Sequence, residues 1–354
     1  MIMETMKPYQ DLTYRGRLRR MRQLARLALR EYGLQDAPFK LVTQAGNTLF
    51  RVYGPASRFT PGNDDLFEPG QYLLRIYATG CQPPEAICLE LTWLAVMRRE
   101  ANLPVPEPVA RPDGGLLTRI HLPGLPEPRD CALLRWIKGR LIPLEAGEKH
   151  CKAQGELMGR MHNFTQFWKL PAGHNKRSYD WNGLFMNDAE IGLPAGACWN
   201  YLPPAWKAPF ESVACSTRLL MEAWGQEPEV YGLIHADMGS DANVLFWHGQ
   251  PRPIDFDGSG FGYWLYDVAV AQAHLWDHPA FPAYRQAFLD GYTRVRPLPD
   301  WQLAQYNQFL AAFSVYYALW MVGVIHLQPK DREHFQPILD RAVAYIIRFV
   351  ESEK

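Results

Sequence analysis

The sequence has no excess of charge of either sign. Its 354 residues contain 37 Lys and Arg and 37 Asp and Glu, so the formal net charge is +0 at pH 7. Proteins that bind polyanions normally carry a basic patch or stripe, and no basic patch interleaved with aromatic residues stands out in this sequence. The composition therefore argues against nucleic acid as a partner.

The cysteine patterns of metal and disulfide sites are also missing. None of the six cysteines forms a C-x-x-C pair, and no secretory signal precedes them. These observations argue against a zinc site and against a disulfide framework. We therefore expect a protein of the reducing cytoplasm.

One uncharged run approaches the length of a membrane span. Residues 309–327 carry no formal charge over nineteen positions, close to the roughly 20 residues that a transmembrane helix needs. The run also contains Ser314, Tyr316, Tyr317 and His326, whose polar groups would be costly in lipid. We expect a buried helix of a large domain and no membrane partner.

The length and the order of the elements indicate two domains. A chain of 354 residues exceeds the size at which single cores usually divide. Strand patterns dominate the first part of the chain, and helical patterns fill the rest. We predict an α+β protein with a small antiparallel-sheet domain at residues 1–137 and a larger, mainly helical domain at residues 138–354. The predicted strands of the small domain are 39–45, 47–53, 71–77, 115–121 and 131–137, and the predicted helices of the chain are 14–32, 85–100, 144–168, 208–224, 263–275, 282–292, 301–327 and 332–351.

The first predicted helix, residues 14–32, is rich in arginine. Seven arginines alternate with apolar residues at helical spacing. An arginine-rich amphipathic helix with few acids resembles an organelle transit peptide, but this one contains no serine. We favour a helix that packs its apolar side on the small domain and exposes its arginines.

The residues that carry chemistry are concentrated between positions 234 and 267. Strand patterns at 244–247 and 252–256, separated by a turn at 248–250, predict a hairpin. His235, Asp237 and Asn243 precede this hairpin, and Asp255 and Asp257 lie at its end. Such an oxygen-rich cluster suits Mg²⁺, which takes one or two carboxylates together with substrate phosphates.

This pattern favours phosphoryl transfer. The reaction needs one acid that orients the acceptor hydroxyl, and an Asn and an Asp that hold metal on the nucleotide. Asp237 fits the first role, and Asn243 with Asp255, 18 residues after Asp237, fits the second. The alternative interpretation is a surface hairpin whose acids cap turns and whose histidine belongs to the core.

The segment resembles the aminoglycoside phosphotransferase and choline kinase superfamily, whose loop reads H-G-D-x-x-x-x-N, and within it a homoserine-kinase-like bacterial branch. Asn243 lies six residues after Asp237 rather than five. Either the loop bulges by one residue or Asp241 shares the metal-ligand role. The resemblance implies a protein-kinase-like fold of two domains, with ATP and Mg²⁺ as cofactors.

The resemblance also implies roles for residues of the small domain. Arg75 stands where the family commonly has a lysine for the nucleotide phosphates, and Glu90 stands at the place of that cation's partner. The matching hairpin that covers the phosphates would carry Gly46, Asn47 and Thr48. The strand at the domain boundary would offer its backbone to the adenine base through Leu134, Arg135, Trp136 and Ile137.

In the large domain, Asp237 and His235 are the candidate catalytic residues, and the resemblance gives His235 the task of holding the loop through hydrogen bonds. Asp257 would be a second metal ligand or an acid next to the ligands. Asp267 would brace the catalytic loop from below, although a plain acid at a helix start explains it equally well.

The wall of the acceptor pocket is expected from residues 171–204, a stretch dense in Gly, Pro and aromatic residues. Aromatic residues there and nearby could form a box that binds a cationic amino alcohol by cation–π contacts, although such residues more often belong to the core. The box would contain Trp181, Trp199, Tyr201, Trp206, Trp264 and Trp276, with Asp180 and Asp277 as its acids. The candidate acceptor contacts are Asp180, Trp181, Asp241, Trp276 and Asp277.

Three functions remain open at this point. The first is an ATP-dependent kinase that phosphorylates a hydroxyl of a small molecule, such as an amino alcohol, an amino sugar or a hydroxy amino acid. The second is an atypical protein Ser/Thr kinase of stress-response type, although the twelve residues from Asp255 to Asp267 leave no room for an activation segment. The third is a nucleotide-binding pseudokinase that acts as a regulatory module, against which the retained Asp237, Asn243 and Asp255 argue.

Overall fold

The structure is a computed structural model that describes residues 7–55, 65–80, 82–142, 147–173, 175–187, 193–239 and 242–353. The chain divides into two compact units, Met1–Lys138 and Gly139–Lys354, which we call the N-terminal unit and the C-terminal unit. The first is built around an antiparallel sheet, and the second is mainly helical. The predicted α+β fold class is confirmed.

In the N-terminal unit, the strands form one sheet and helices accompany it. Its elements are α1 (Tyr14–Glu31), β1 (Phe39–Ala45), β2 (Asn47–Tyr53), β3 (Phe67–Ile76), α2 (Pro84–Ala101), β4 (Leu117–Ile120) and β5 (Arg129–Ile137). The strand order is β1-β2-β3-β5-β4, and neighbouring strands are antiparallel. Side chains alternate between the two faces of a strand, so Phe50 and its partner Leu74 face one side of the sheet, whereas Leu49 and its partner Arg75 face the other.

α1 packs its apolar side on the sheet face that carries Phe50 and Leu74. Its buried positions follow the helical period of the predicted amphipathic pattern. They are Met21, Leu24, Ala25, Ala28 and Leu29. The arginines between them lie at partly or fully exposed positions, so the arginine-rich helix is a part of the folded unit.

The C-terminal unit combines long helices with two small sheets. Its helices are α3 (Glu148–Phe167), α4 (Ala195–Cys198), α5 (Pro204–Trp224), α6 (Trp264–Val270), α7 (Phe281–Thr293), α8 (Asp300–Leu303), α9 (Tyr306–Leu327) and α10 (Arg332–Ser352). Its strands are β6 (Tyr231–Ile234), β7 (Val244–Trp247), β8 (Gln250–Pro253) and β9 (Gly260–Tyr263). β6 pairs with β9, and β7 pairs with β8, both in antiparallel fashion.

α9 is the central helix of this unit. By length and composition alone, the segment Asp300–Leu327 could cross a membrane, since its mean hydropathy reaches 1.7 in one window. In the structure 61 % of that window is buried, and α9 packs against α5, α6 and α10. α9 is therefore a core helix, as the sequence predicted.

The hairpin of β7 and β8 follows the prediction at its turn but not at its end. His248 and Gly249 have φ values of 49° and 76°, as a type I′ turn requires. The second strand was expected at residues 252–256, but β8 ends at Pro253. The reason is Asp255, whose φ of 63° takes the backbone out of the extended region.

Candidate active site

The loop between β6 and β7 carries Asp237. Because β6 pairs with β9, the residues that follow β6 lie beside those that precede β9. Gly258 precedes β9, and a Cβ atom added to it would lie 3.7 Å from Cβ of Asp237. This pairing brings together the two halves of the predicted site, namely the loop with Asp237 and the segment with Asp255 and Asp257.

A buried carboxylate, Asp267 of α6, fixes the start of the loop. It accepts hydrogen bonds from His235 N at 3.1 Å and from Ala236 N at 2.7 Å, and Nε2 of His162 lies 3.0 Å from its Oδ2. Burial acts to raise the pKa of Asp267, but the hydrogen bond from His162 and the loop N–H groups outweigh it, so the pKa lies below its usual value. These contacts support the bracing role, because a helix-start acid would instead bind N–H groups of its own helix.

His235 is buried, and both of its ring nitrogens contact the backbone. Nε2 donates to Ile254 O at 3.0 Å, and Nδ1 accepts from Asp237 N at 3.3 Å. These partners require the neutral ring with its proton on Nε2, and burial lowers the pKa of His235 in the same direction. His235 therefore positions Asp237 relative to the end of β8, and its partners leave it no role in proton transfer, although it was a candidate catalytic residue.

The sequence analysis missed two further residues that hold the loop, both on α3. Nδ1 of the buried His162 lies 2.9 Å from the Tyr292 hydroxyl, and burial lowers the pKa of His162. The ring is thus neutral, donating from Nε2 to Asp267 and accepting at Nδ1. Gln154 donates from Nε2 to Met238 O at 2.7 Å. α3 consequently holds the loop on both sides of Asp237.

The residue between His235 and Asp237 adopts a left-handed backbone conformation. Ala236 has a φ of 64°, which costs a non-glycine residue on the order of 1 kcal/mol. The motif that the segment resembles has glycine at this position. The hydrogen bond from Ala236 N to Asp267 shows how the surrounding structure maintains this conformation.

Asn243 is paired directly with Asp237. Its Nδ2 donates to Oδ2 of Asp237 at 2.7 Å and to the carbonyl of Asp237 at 2.9 Å, while Asn243 N donates to Gly239 O at 2.9 Å. Because Nδ2 is committed to Asp237, Oδ1 is the side-chain atom of Asn243 that can ligate a cation. Asp241, the alternative ligand and a candidate acceptor contact, lies outside the described residues.

Asp255 and Asp257 follow β8 on a 3-10 turn, Phe256–Gly258. Both side chains are half-buried, and Asp257 lines the same cavity as Asp237. Asp255, Asp257 and Oδ1 of Asn243 all offer oxygen atoms, which is the donor type that Mg²⁺ prefers. Within the described ranges no group of three or more His, Cys, Asp or Glu is arranged to hold a metal by itself, so such an ion would also need ligands from its substrate.

In the N-terminal unit, Gly46 occupies the tip of the β1–β2 hairpin with a φ of 67°. A Cβ atom at Gly46 would meet nothing within 4 Å, so the tip is open. Asn47 Oδ1 accepts a hydrogen bond from Ala78 N at 2.9 Å. Thr48 is buried and lies on the sheet face of Phe50. The side chains of Asn47 and Thr48 therefore stabilise the hairpin, and Gly46 is the open position.

Arg75 and Glu90 form a buried ion pair. Nη1 of Arg75 lies 3.2 Å from Oε1 of Glu90, and the two side chains are 5 % and 1 % exposed. Glu90 is thus not the exposed acid of an ordinary surface helix. The pair has the partners that the resemblance implies, with a planar guanidinium in place of an ammonium group.

The four residues proposed to contact adenine lie at the end of β5. They are Leu134, Arg135, Trp136 and Ile137. Arg135 N donates to Glu107 O at 2.9 Å, and its guanidinium pairs with the Glu107 carboxylate at 2.7 Å and stacks on Phe67 at 3.9 Å. The Arg135 N–H is therefore used within the unit, which argues against a contact between that group and a base.

A cavity of about 470 Å³ opens at Asp237 in the C-terminal unit. One wall is an aromatic stripe on α9, which we define as Phe313, Tyr316, Tyr317 and Trp320. These positions follow the i, i+3, i+4, i+7 spacing of one helix face, and they are half-buried whereas most other α9 side chains are buried. Trp276 and Arg341 also line the cavity. The sequence analysis missed this wall because it treated α9 as core throughout.

The predicted acceptor contacts divide between the cavity and the core. Trp276 lines the cavity, and Asp277 forms an ion pair with the cavity residue Arg341. Asp180 accepts a hydrogen bond from Gly183 N at 2.9 Å and is not among the cavity residues, and Trp181 donates to Ala214 O at 2.8 Å.

The members of the predicted aromatic box do not all lie at this cavity. Trp181, Trp199, Tyr201, Trp206 and Trp264 do not line the cavity found in the described residues. Trp264 is 1 % exposed and packs beside His162, and Trp199 donates to Phe185 O at 2.9 Å. Trp276 is the member that reaches the site, and one of its faces lies near the guanidinium of Arg348, 5.2 Å from the ring centre.

The chain is similar to known phosphotransferases. The model of the phosphotransferase enzyme family matches residues 65–305. A homoserine kinase of Burkholderia vietnamiensis is 27 % identical over 302 residues, which cover 78 % of this chain and 83 % of the relative.

Two solved structures have the same fold over most of their length. A microcompartment-associated aminopropanol kinase superposes with a TM-score of 0.71 at 22 % identity, covering 92 % of this chain and 94 % of that one. An amicoumacin kinase in complex with AMP-PNP, Ca²⁺ and its antibiotic gives a TM-score of 0.70 at 17 % identity, covering 92 % and 95 %. The predicted two-domain kinase-like fold is confirmed.

Proposed function

The chain belongs to the phosphotransferase enzyme family, and on that premise we propose that it moves the γ-phosphate of ATP to a hydroxyl group of an amino alcohol, an amino sugar or a hydroxy amino acid. The chain is a kinase with an alcohol group as acceptor. The proposal adds the class of molecule that carries this group. The homoserine kinase and aminopropanol kinase relatives support an acceptor of this size and type.

The observation that carries the proposal is the placement of Asp237. Its side chain is exposed to a cavity of about 470 Å³, while its backbone neighbours are held by Asp267, His235 and Asn243. A general base must lie within hydrogen-bond reach of the proton that it removes. A carboxylate held rigidly at the wall of a small cavity meets this requirement for a small alcohol.

In this mechanism Asp237 accepts a hydrogen bond from the acceptor hydroxyl and aligns its oxygen with the γ-phosphorus atom. It takes the proton as the new O–P bond forms and the bond from the γ-phosphorus to the bridging oxygen breaks, so that ADP leaves. Asn243 donates to Oδ2 of Asp237, which fixes the orientation of the carboxylate at the cavity wall. The aromatic stripe of α9 excludes water from the cavity, so the phosphoryl group passes to the bound alcohol and not to water.

Oδ1 of Asn243 with Asp255 and Asp257 would hold Mg²⁺. When bound, this ion neutralises charge on the transferring phosphate. In the N-terminal unit, the open tip at Gly46 and the guanidinium of Arg75 are the proposed contacts of the nucleotide phosphates. The burial of Arg75 with Glu90 fixes the orientation of that guanidinium.

The test is ADP release from Mg-ATP in the presence of amino alcohols, amino sugars and hydroxy amino acids. We expect Asp237→Asn to lower turnover with the active acceptor by about 10²- to 10⁴-fold, because an amide cannot accept the proton. Binding of Mg-ATP, measured by calorimetry, should be retained. Asp290→Asn is the matched control, since Asp290 is exposed on α7, and it should keep full turnover.

An Asp237→Asn variant with full activity would contradict the assigned role. Release of ADP with no member of the panel, while Mg-ATP still binds, would favour the protein-kinase or pseudokinase interpretation instead. The two are then separated by incubating the protein with labelled ATP and a protein substrate mixture.

A further inference from the structure

We propose that Arg341, held by Asp277, recognises a carboxylate on the acceptor, which makes a hydroxy amino acid the preferred acceptor class. This inference rests on the proposed function and specifies the acceptor of the same site. Arg341 lies on α10 and lines the cavity that Asp237 also lines. It lies outside residues 65–305, the part of the chain that the family model matches, so family membership alone does not account for it.

The guanidinium of Arg341 is fixed by protein contacts on one edge. Nε donates to Oδ2 of Asp277 at 2.7 Å, and Nη2 donates to Oδ1 of Asp277 and to His274 O at 3.0 Å. Two parallel hydrogen bonds of this kind set the plane of the guanidinium as well as its position. The side chain remains 45 % exposed, so it is held in place without being covered.

The free edge of this guanidinium carries donors for a ligand. In the described part of the chain, the contacts of Arg341 involve Nε and Nη2, and the two N–H groups of Nη1 have no protein acceptor. An arginine cannot lose its proton, and its N–H groups need acceptors when a ligand displaces water from them. A carboxylate oxygen supplies the strongest such acceptor.

The charged residues of the cavity determine which group of the acceptor lies near Asp237 and which lies near Arg341. The cavity lining includes the carboxylates of Asp237 and Asp257, and they would repel an acceptor carboxylate placed beside them. A hydroxyl at Asp237 therefore leaves the carboxylate of the same molecule to the part of the cavity where Arg341 lies.

The alternative acceptor, an amine without a carboxylate, has weaker support in this cavity. Asp277 is the acid that would bind its ammonium group, but Arg341 already neutralises Asp277. Trp276 offers a ring for a cation–π contact, but the guanidinium of Arg348 already lies 5.2 Å from the centre of that ring. In the described part of the chain, the acid that contacts Arg341 is thus already paired with it, whereas a carboxylate finds the N–H donors of Nη1.

The experiment uses three pairs of acceptors that differ by one carboxylate: serine and ethanolamine, threonine and 1-aminopropan-2-ol, and homoserine and 3-aminopropan-1-ol. For the best pair we expect kcat/KM to favour the amino acid, and Arg341→Gln to lower kcat/KM for the amino acid by about 10- to 100-fold through KM. The value for the amino alcohol should change less than about 2-fold, because that molecule makes no contact with Nη1.

Two further variants separate recognition from structural damage. Arg332→Gln removes an exposed arginine from the same helix, and it should leave both members of each pair unaffected. Arg341→Lys keeps the charge without the planar fork, and it should restore part of the preference. Thermal midpoints of all variants are measured to show that each is folded.

A wild-type enzyme that prefers the amino alcohol of every pair, or that turns over only amino sugars, would overturn the inference. So would a preference for the amino acid that survives Arg341→Gln. In each of these cases, turnover that depends on Asp237 would still support the proposed kinase activity. Absence of turnover with all acceptors would instead contradict the proposed function itself.

Discussion

Two buried neutral histidines, His162 and His235, support the loop that carries Asp237, the proposed general base. His162 donates to Asp267, and Asp267 accepts from the backbone at His235 and Ala236. His235 in turn connects Asp237 N to Ile254 O. Asp237 is thereby positioned by a chain of hydrogen bonds in which each donor has a defined partner. Protonation of His235 would remove the acceptor of Asp237 N, and protonation of His162 would remove the acceptor of the Tyr292 hydroxyl.

Because these two histidines are buried and neutral, we predict that the protein loses stability in mild acid. Burial lowers the pKa of both below the usual value, so the unfolded chain takes up protons near its histidine pKa of about 6.5 while the native rings stay neutral. Their contribution to stability is fully present above this pH and is lost as the pH falls. Between about pH 7.5 and about pH 5.5 the free energy of unfolding should fall by up to about 2.7 kcal/mol, about 1.4 kcal/mol for each histidine.

Urea unfolding at the two pH values measures this difference, and His162→Gln is the control. Removing one of the two groups should reduce the pH dependence by about half, even though the variant is less stable overall. Equal stability of the wild type at both pH values, or an unchanged dependence in His162→Gln, would contradict the assigned neutral rings.

At the level of single residues, the sequence predicted the types in the loop but not their supports. Asp237, Asn243 and Asp255 could be recognised because phosphoryl transfer limits which side chains can occur at such spacing. His162 lies far away in the chain, on a helix whose buried positions include Leu157, Met158 and Met161. A histidine among apolar helix positions was the available signal, but nothing local identifies Asp267 as its partner.

Among the elements, α3 and α7 pack with their backbones in close contact. A Cβ atom added to Gly155 would lie 2.0 Å from Phe288 O, and one added to Gly291 would lie 1.9 Å from Lys152 O. Each helix therefore presents a glycine to the backbone of the other. Because α3 also carries Gln154 and His162, this contact sets the distance of both residues from the catalytic loop.

We predict that Gly155→Ala destabilises the protein by about 3 kcal/mol, since the added methyl group can be placed only by moving one helix. The gain in helix propensity, about 1 kcal/mol, is smaller than this cost. Thermal or urea unfolding measures the change. Lys152→Ala is the matched control in the same helix, where the side chain is exposed, and it should shift stability by less than about 0.5 kcal/mol. A Gly155→Ala variant as stable as wild type would refute the close contact.

The periodicity of side chains along the sequence predicted two strands correctly, but it was misinterpreted for one face of α9. The strands 39–45 and 47–53 were predicted with the bounds that the structure has, because glycine at the turn and alternating side chains act locally. α9 was recognised as a helix, but its aromatic stripe was assigned to the core. Aromatic residues at i, i+3, i+4, i+7 look the same whether the facing surface is another helix or an open cavity.

For the molecule as a whole, the residues of the shared motif and the residues that we propose to recognise the acceptor lie in different parts of the chain. The catalytic loop and the oxygen donors fall within residues 65–305, which the family model matches. The aromatic stripe of α9 and Arg341 of α10 come later in the chain. The sequence could therefore indicate the reaction through the shared motif, whereas the residues that we propose to recognise the acceptor line a cavity formed in part by α9 and α10.

The measurement that tests the central claim most directly is ³¹P NMR of the reaction with Mg-ATP and the active acceptor. We predict that a phosphomonoester signal of the acceptor grows in step with ADP, and that neither appears with Asp237→Asn. Formation of ADP together with inorganic phosphate alone, or with phosphate attached to the protein, would contradict transfer to a small alcohol at Asp237.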